Sequence, residues 1–168
     1  MEPEILVSTI VRSHDDPAKV IHSVRSIFPD WIPDKNLERS DFPVRRESEE
    51  IIGKADSLDN LLSKLREARV LDTALDAMAM HSDDEGTVFS LSRQSASIGK
   101  VSFVLEGSPL GGTMEITLTG RDIVIWLEQA TWHNGREIVP REVGDELAMN
   151  ETGDASEWFE SGSKRRDV

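Results

Sequence analysis

Cysteine is absent from the 168 residues, and so is tyrosine. Without cysteine there is no disulfide, no thiolate zinc or iron–sulfur site and no cysteine nucleophile, and the redox compartment stays open. Long apolar runs are missing too. The longest is five residues, Ile123 to Leu127, against the roughly 18 needed to cross a bilayer. The chain opens Met1-Glu2-Pro3-Glu4 without a basic stretch, which predicts no secretory signal and a soluble, cytoplasmic protein. Positive charge is scarce as well: 19 Lys plus Arg face 32 Asp plus Glu, a net charge of −13. Taken alone, that argues against a nucleic-acid partner, because neutralising phosphates favours a basic surface. Only 6 of the bases are lysine, against 13 arginine. An acidic, lysine-poor surface is also what a salt-rich cytoplasm favours, where screening shortens electrostatic range to about 3 Å at 1 M. On that reading net charge says little about a polyanionic partner, and local basic clusters carry the information.

What is present suits one compact domain. Glu4 to Arg12 alternates as a strand, with Ile5, Val7 and Val11 on one face and Leu6 and Ile10 on the other. Asp16-Pro17 starts a helix, Asp as N-cap and Pro at the first helical position, and Val20, Ile21, Val24, Ile27 and Phe28 form its buried stripe. Trp31 to Glu38 reads as a short edge strand limited by its prolines, and Glu49 to Ala55 as another strand. Ser57 caps a helix carrying Leu58, Leu61, Leu62 and Leu65, and a second stripe follows at Leu71, Ala74, Leu75 and Met78. At about 100° per residue the two stripes fall on opposite sides of one helix, so a break is predicted near Arg69-Val70. Three strands are expected next, around Thr87–Ser92, Val101–Leu105 and Thr113–Thr119. A last helix, with Thr119-x-x-Asp122 as its capping box, is expected to bury Ile123, Trp126, Leu127 and Ala130. This order predicts an α+β fold, an antiparallel or mixed sheet packed on segregated helices. Residues 1–138 form that single domain, and 139–168 read as an acidic, flexible tail with a possible docking turn at Trp158-Phe159.

Chemistry is harder to find. His14-Asp15-Asp16 reads better as helix capping than as a metal or acid–base site. His81 with Asp83, Asp84 and Glu85 offers oxygen ligands for a divalent ion but lacks a calcium-loop pattern, so a solvated loop is the better reading and a metal-dependent hydrolase the weakest. His22 reads as a surface or boundary residue, and His133 has no evident partner. Glu106 to Gly112 is glycine-rich yet joins two strands, unlike a phosphate loop. Neither a catalytic residue, a cofactor nor a metal is predicted. Basic residues are spread over the core elements, among them Arg12, Arg25, Lys64, Arg66, Arg69, Arg93 and Lys100. Arg93 and Lys100 flank the small-residue segment Gln94 to Gly99, where a phosphate or sugar could come close to the backbone. No stacking platform is expected, since Phe89 and Phe103 fall on the buried face.

Several segments together resemble a known archaeal family: Arg69 to Ala74, Leu91 to Phe103, Pro109-Leu110-Gly111 and Ile125-Trp126-Leu127. Its members are described as RNA-binding proteins and predicted exosome subunits. The resemblance runs from about Ile5 to Ile138 and implies an α+β sandwich similar to the ribosomal protein that binds 5S ribosomal RNA. It also implies a non-catalytic RNA-binding protein that reads the shape and backbone of structured or double-stranded RNA, with Arg69, Arg93, Gln94 and Lys100 as contacts. Asp72 belongs to the same motif and is expected to be structural. At Leu75 the chain departs from the family pattern, where arginine is expected. Further expectations are RNA-processing proteins as partners, no membrane, and a possible homodimer. The alternative is a protein-interaction subunit that touches no RNA.

Overall fold

The computed structural model describes residues 2–35, 48–141 and 143. Strand β1 (Glu4–Val11) leads to helix α1 (Pro17–Ile27), then β2 (Glu49–Ala55), α2 (Asp59–Glu67), α3 (Leu71–Ala79), β3 (Gly86–Ser92), α4 (Arg93–Ser97), β4 (Thr113–Thr119), α5 (Ile123–Ala130) and a 3₁₀ turn at Asn134–Glu137. The four strands form one antiparallel sheet in the order β2-β1-β4-β3. This is the α+β class that the clustered strands and separate helical stripes predict.

Alternation decides which face is covered. Val7 lies opposite Gly53 on one side and Ile116 on the other, and Phe89 lies opposite Ile116. With Ile5, Val11, Ile51, Leu91, Met114 and Leu118 they make the buried face, and the helices lay their stripes against it in one core. Helix α1 packs on α4, and α3 packs on β3 and α5. The opposite face carries Glu4, Ile10, Glu50, Ile52, Val88 and Glu115, with Ile10, Ile52 and Val88 exposed.

Local chemistry sets the element starts. Asp16 holds an extended backbone, its Oδ1 accepts from the Ala18 amide at 3.1 Å, and Pro17 takes the first helical position. At α2 the N-cap is Leu58, with no side-chain cap, rather than the expected Ser57, whose hydroxyl accepts from the Asp59 amide at 3.3 Å.

Four more expectations need correction. Trp31 to Lys35 is not a strand; Trp31 turns into the core and its Nε1 donates to the Val7 carbonyl at 3.0 Å. Residues 36–38 lie outside the described residues. The segment from Trp31 to Lys35 crosses β2 at Gly53, where any Cβ would run into the Ile32 carbonyl. Val101 to Leu105 meets β3 only at the Leu91–Phe103 bridge, because the turn at Gly99 and the loop after Leu105 leave too short a run for a ladder. Asp122 makes no side-chain cap; it sits in the left-handed region, at φ 55°, and α5 starts without one. Trp126 is half-buried rather than a core residue.

Both sheet edges are occupied. On β2, the Asp34 amide donates to the Ile52 carbonyl (2.8 Å) and Asp34 Oδ1 accepts from the Ile52 amide (3.0 Å). On β3, Ser92 and Val104 exchange bonds with the 102–104 segment and Ser90, each at 2.9 Å. Such covering blunts an edge against further strand pairing.

The domain also runs past its expected end at Ile138. The guanidinium of Arg141 grips the buried carboxylate of Asp76 at 2.7 and 2.8 Å, and Val143 packs on the core. Of the expected 139–168 tail, residues 142 and 144–168, with Trp158-Phe159, lie outside the described residues.

Candidate functional site

The joint between α2 and α3 is where the two opposed stripes force the chain to turn. Leu61 and Leu65 are buried on α2, and Leu71, Ala74, Leu75 and Met78 on α3. Between them Arg69 adopts φ 60°. Its amide donates to the Arg66 carbonyl and the Val70 amide donates to the Leu65 carbonyl, both at 3.1 Å. This is the paired bonding of a Schellman helix end, whose left-handed position ordinarily belongs to glycine. An arginine there costs on the order of 1 kcal/mol that glycine would not.

The turn opens a cleft of about 440 Å³ lined by Arg66, Arg69, Val70, Leu71, Asp72, Thr73 and His133. Arg66 and Arg69 are both exposed. Arg66 Nη1 donates to the Trp132 carbonyl at 3.2 Å, and the Arg69 side chain has no hydrogen-bond or ion-pair partner among the described residues. The one carboxylate in the lining is already met: Asp72 Oδ1 lies 2.9 Å from His133 Nε2 and 2.8 Å from Arg136 Nε. Partial burial pushes the Asp72 carboxyl upward, but the hydrogen bonds from His133 and Arg136, with their charges, outweigh it and hold it below the usual carboxylate value. His133 Nδ1 accepts from the Gly135 amide at 3.2 Å and Nε2 lies against Asp72, so both ring nitrogens are engaged and the ring is held as a strut. Arg136 is buried and also reaches the Glu128 carbonyl and the Thr131 hydroxyl, each at 2.9 Å. The cleft therefore presents two arginines with solvent-facing charge and a neutralised acid.

The residues expected to touch RNA separate. Arg69 lines the cleft. Gln94 and Lys100 are exposed, and Lys100 follows Gly99, whose carbonyl accepts from Lys64 Nζ on α2 at 3.0 Å. Arg93 is different: it is 5% exposed, donating to Gly111 O (2.8 Å), Thr9 Oγ1 (2.9 Å), Ile10 O (2.9 Å) and Asp15 Oδ2 (3.2 Å). A guanidinium so enclosed, with its donors committed to these acceptors, holds the fold together, which corrects its expected role as a surface contact. Leu75, at the position where arginine was expected, is fully buried.

The acidic candidates serve the backbone. Asp15 accepts from the Arg12 amide and from Arg93. Asp83 Oδ1 accepts from the amides of Glu85 and Gly86, closing its own turn. Among the described residues no group of three or more side chains is placed to hold a metal ion, and no helix is long and apolar enough to cross a membrane. Arg66 and His133 stand out in the sequence only as one of the spread basic residues and as a histidine without an evident partner; their meeting with Arg69 and Asp72 in one cleft is what sequence reasoning misses. Their grouping depends on α5 returning beside α2, and no spacing in the sequence records that.

Fold and cleft together define an α+β module with one covered sheet face, blunted edges and a cation-lined recess between two helices. The chain belongs to the archaeal UPF0201 family. It is 32% identical over 140 residues to a UPF0201 protein of Sulfolobus acidocaldarius, covering 76% of this chain and 88% of that one. A UPF0201 protein of Methanothermobacter thermautotrophicus is 28% identical over 142 residues, covering 84% and 98%. The crystal structure of the UPF0201 protein from Methanococcus jannaschii shares the fold, with a TM-score of 0.65, 23% identity and coverage of 77% of this chain and 99% of that one. No family model matches the sequence.

Proposed function

We propose that the protein binds structured RNA through its backbone, without catalysing a reaction, as a cytoplasmic factor associated with RNA processing or the exosome. The observation that carries this reading is the α2–α3 cleft, where Arg66 and Arg69 present unneutralised charge in a chain that is otherwise strongly acidic. Arginine forks match phosphate oxygens in pairs, and shape recognition of RNA rests on such phosphate and 2′-hydroxyl contacts. Lys100 and Gln94 are exposed as well, and Gly99, next to Lys100, accepts from Lys64 on α2. The likeness to the 5S-rRNA-binding ribosomal protein belongs to the same proposal. Anisotropy of labelled duplex RNA, single-stranded RNA and duplex DNA at two KCl concentrations tests it. Saturable, salt-sensitive binding that prefers RNA duplex regions is expected, and an Arg69→Ala, Lys100→Ala variant flattens the salt slope by up to about two charges' worth. Absence of binding at either salt refutes it.

A second reading, a protein-interaction subunit that touches no RNA, rests on the open sheet face. Ile10, Ile52 and Val88 are exposed there between charged neighbours. Under that reading no nucleic acid binds, and replacing Ile10 and Val88 with Asp disrupts assembly with a partner or a second copy while the fold is kept.

A further inference from the structure

The sheet face turned away from the helices carries a charge pattern that the cleft does not use. Strand pairing fixes its grid. Ser8 lies opposite Ile52 on β2 and Glu115 on β4, Leu6 lies opposite Lys54, and Ile10 lies opposite Glu50. Ile10 and Ile52 are exposed and Leu6 is half-buried. Arg12 continues the alternation of β1 one step past the strand. With Ile10, Glu50 and Glu115 it lines a shallow hollow of about 140 Å³. Charge on this face nearly balances, Glu4, Glu50 and Glu115 against Arg12 and Lys54, in a chain of net charge −13. An acidic surface repels its own kind, so a nearly neutral, partly apolar face is where two such chains can meet.

We propose that two copies of the chain pack through this face, about a two-fold axis that crosses the strands at the row of Ile52, Ser8 and Glu115. A two-fold interface sets one surface against itself, and packed sheets keep their strands within about 30° of each other. With the axis on that row, a residue one row to one side meets the residue one row to the other side. Leu6 then meets Ile10 of the second copy, Ile52 meets its own counterpart, and Lys54 meets Glu50. One row further out on β1, Glu4 meets Arg12. Within one copy Lys54 Nζ lies 2.7 Å from a Glu4 carboxylate oxygen, so this pair comes to lie on the Glu50 and Arg12 of the other copy with both signs reversed. The face is thus its own complement in charge about that row, which is the reason for a second copy rather than a foreign protein. Glu115 stands on the axis, meets its own counterpart and is the one repulsive contact. Because both sheet edges are already covered, association uses the face and not a further strand. The inference rests on the open-face reading, names its partner and does not depend on RNA binding.

Sedimentation equilibrium of the full chain over a range of micromolar concentrations tests it, with wild type and the variants Lys54→Glu, Glu50→Lys and Glu115→Gln. Wild type is expected to show a reversible monomer–dimer equilibrium. Lys54→Glu and Glu50→Lys should each raise the dissociation constant by about tenfold, since each sets two like-charged pairs across the interface. Mixed in equal amounts, these two variants should dimerise as tightly as wild type or tighter, because every pair in the mixed dimer joins opposite charges. Mixing cannot repair a folding defect, so the recovery separates association from stability. Glu115→Gln should tighten the dimer several-fold. A dimer that Lys54→Glu does not weaken, or a mixture no tighter than its separate components, overturns the inference. A chain that stays monomeric throughout overturns it as well, while the wider open-face reading is refuted only if replacing Ile10 and Val88 with Asp leaves assembly with other proteins intact.

Discussion

Arg93 and Asp15 meet at 3.2 Å across 78 positions of sequence, fastening the first residue of α4 to the turn between β1 and α1. Three further oxygens, from Thr9, Ile10 and Gly111, complete the guanidinium's contacts. The approach is so close at Gly112 that a Cβ there would run into the guanidinium.

Arg93→Ala removes one member of a buried pair and the guanidinium's hydrogen bonds to four oxygens, leaving Asp15 with only the Arg12 amide as donor. We expect a loss of about 3–5 kcal/mol. For a chain of this size that lowers the thermal midpoint by roughly 6–20 °C, measured by circular dichroism. RNA affinity, measured where the variant remains folded, should be unchanged.

The Asp76–Arg141 pair behaves in a similar way but lies at the far end of the chain, with both side chains buried. Arg141→Ala should cost about 3–5 kcal/mol. Asp76→Leu combined with Arg141→Met should be closer to wild type than either single change, because a buried pair replaced by apolar groups loses its desolvation penalty along with its attraction. Urea denaturation of the four proteins measures the coupling.

Asp72 carries the expected pH dependence. Its carboxyl is held below the value of about 3.9 that it has in the unfolded chain. The native state therefore binds fewer protons near that pH, and the stabilisation is fully present above it and lost as pH falls below about 4. Asp72→Asn should reduce stability at pH 7 by about 1–2 kcal/mol, a figure discounted for the partial exposure of the group. The difference from wild type should shrink below pH 4 in acid-unfolding curves.

Two tryptophans that look alike in sequence should respond differently. Trp31 is fully buried and hydrogen-bonded to Val7, so Trp31→Ala is expected to cost about 3–5 kcal/mol. Trp126 is half-buried beside Leu58 and Leu62. Trp126→Ala should cost about 1–2 kcal/mol, in proportion to its smaller buried area.

Period and composition determined much of this protein. Alternation at Glu4 to Val11 and Thr113 to Thr119, the Asp16-Pro17 start of α1 and the opposed leucine stripes around Arg69 are local signals, and each element follows from its own residues. Only the tertiary structure decided what the polar residues do. Arg93 has the composition of a surface contact, but β1 and the Pro109–Gly112 turn close over it and make it a core fastener. His133 and the Trp132 carbonyl find their partners, Asp72 and Arg66, only when α5 brings them beside α2 and α3. The physical reason is range: backbone periodicity acts over a few residues, whereas a charge finds its partner by distance in space, and Arg93 is 78 residues from Asp15 while Arg136 is 64 from Asp72.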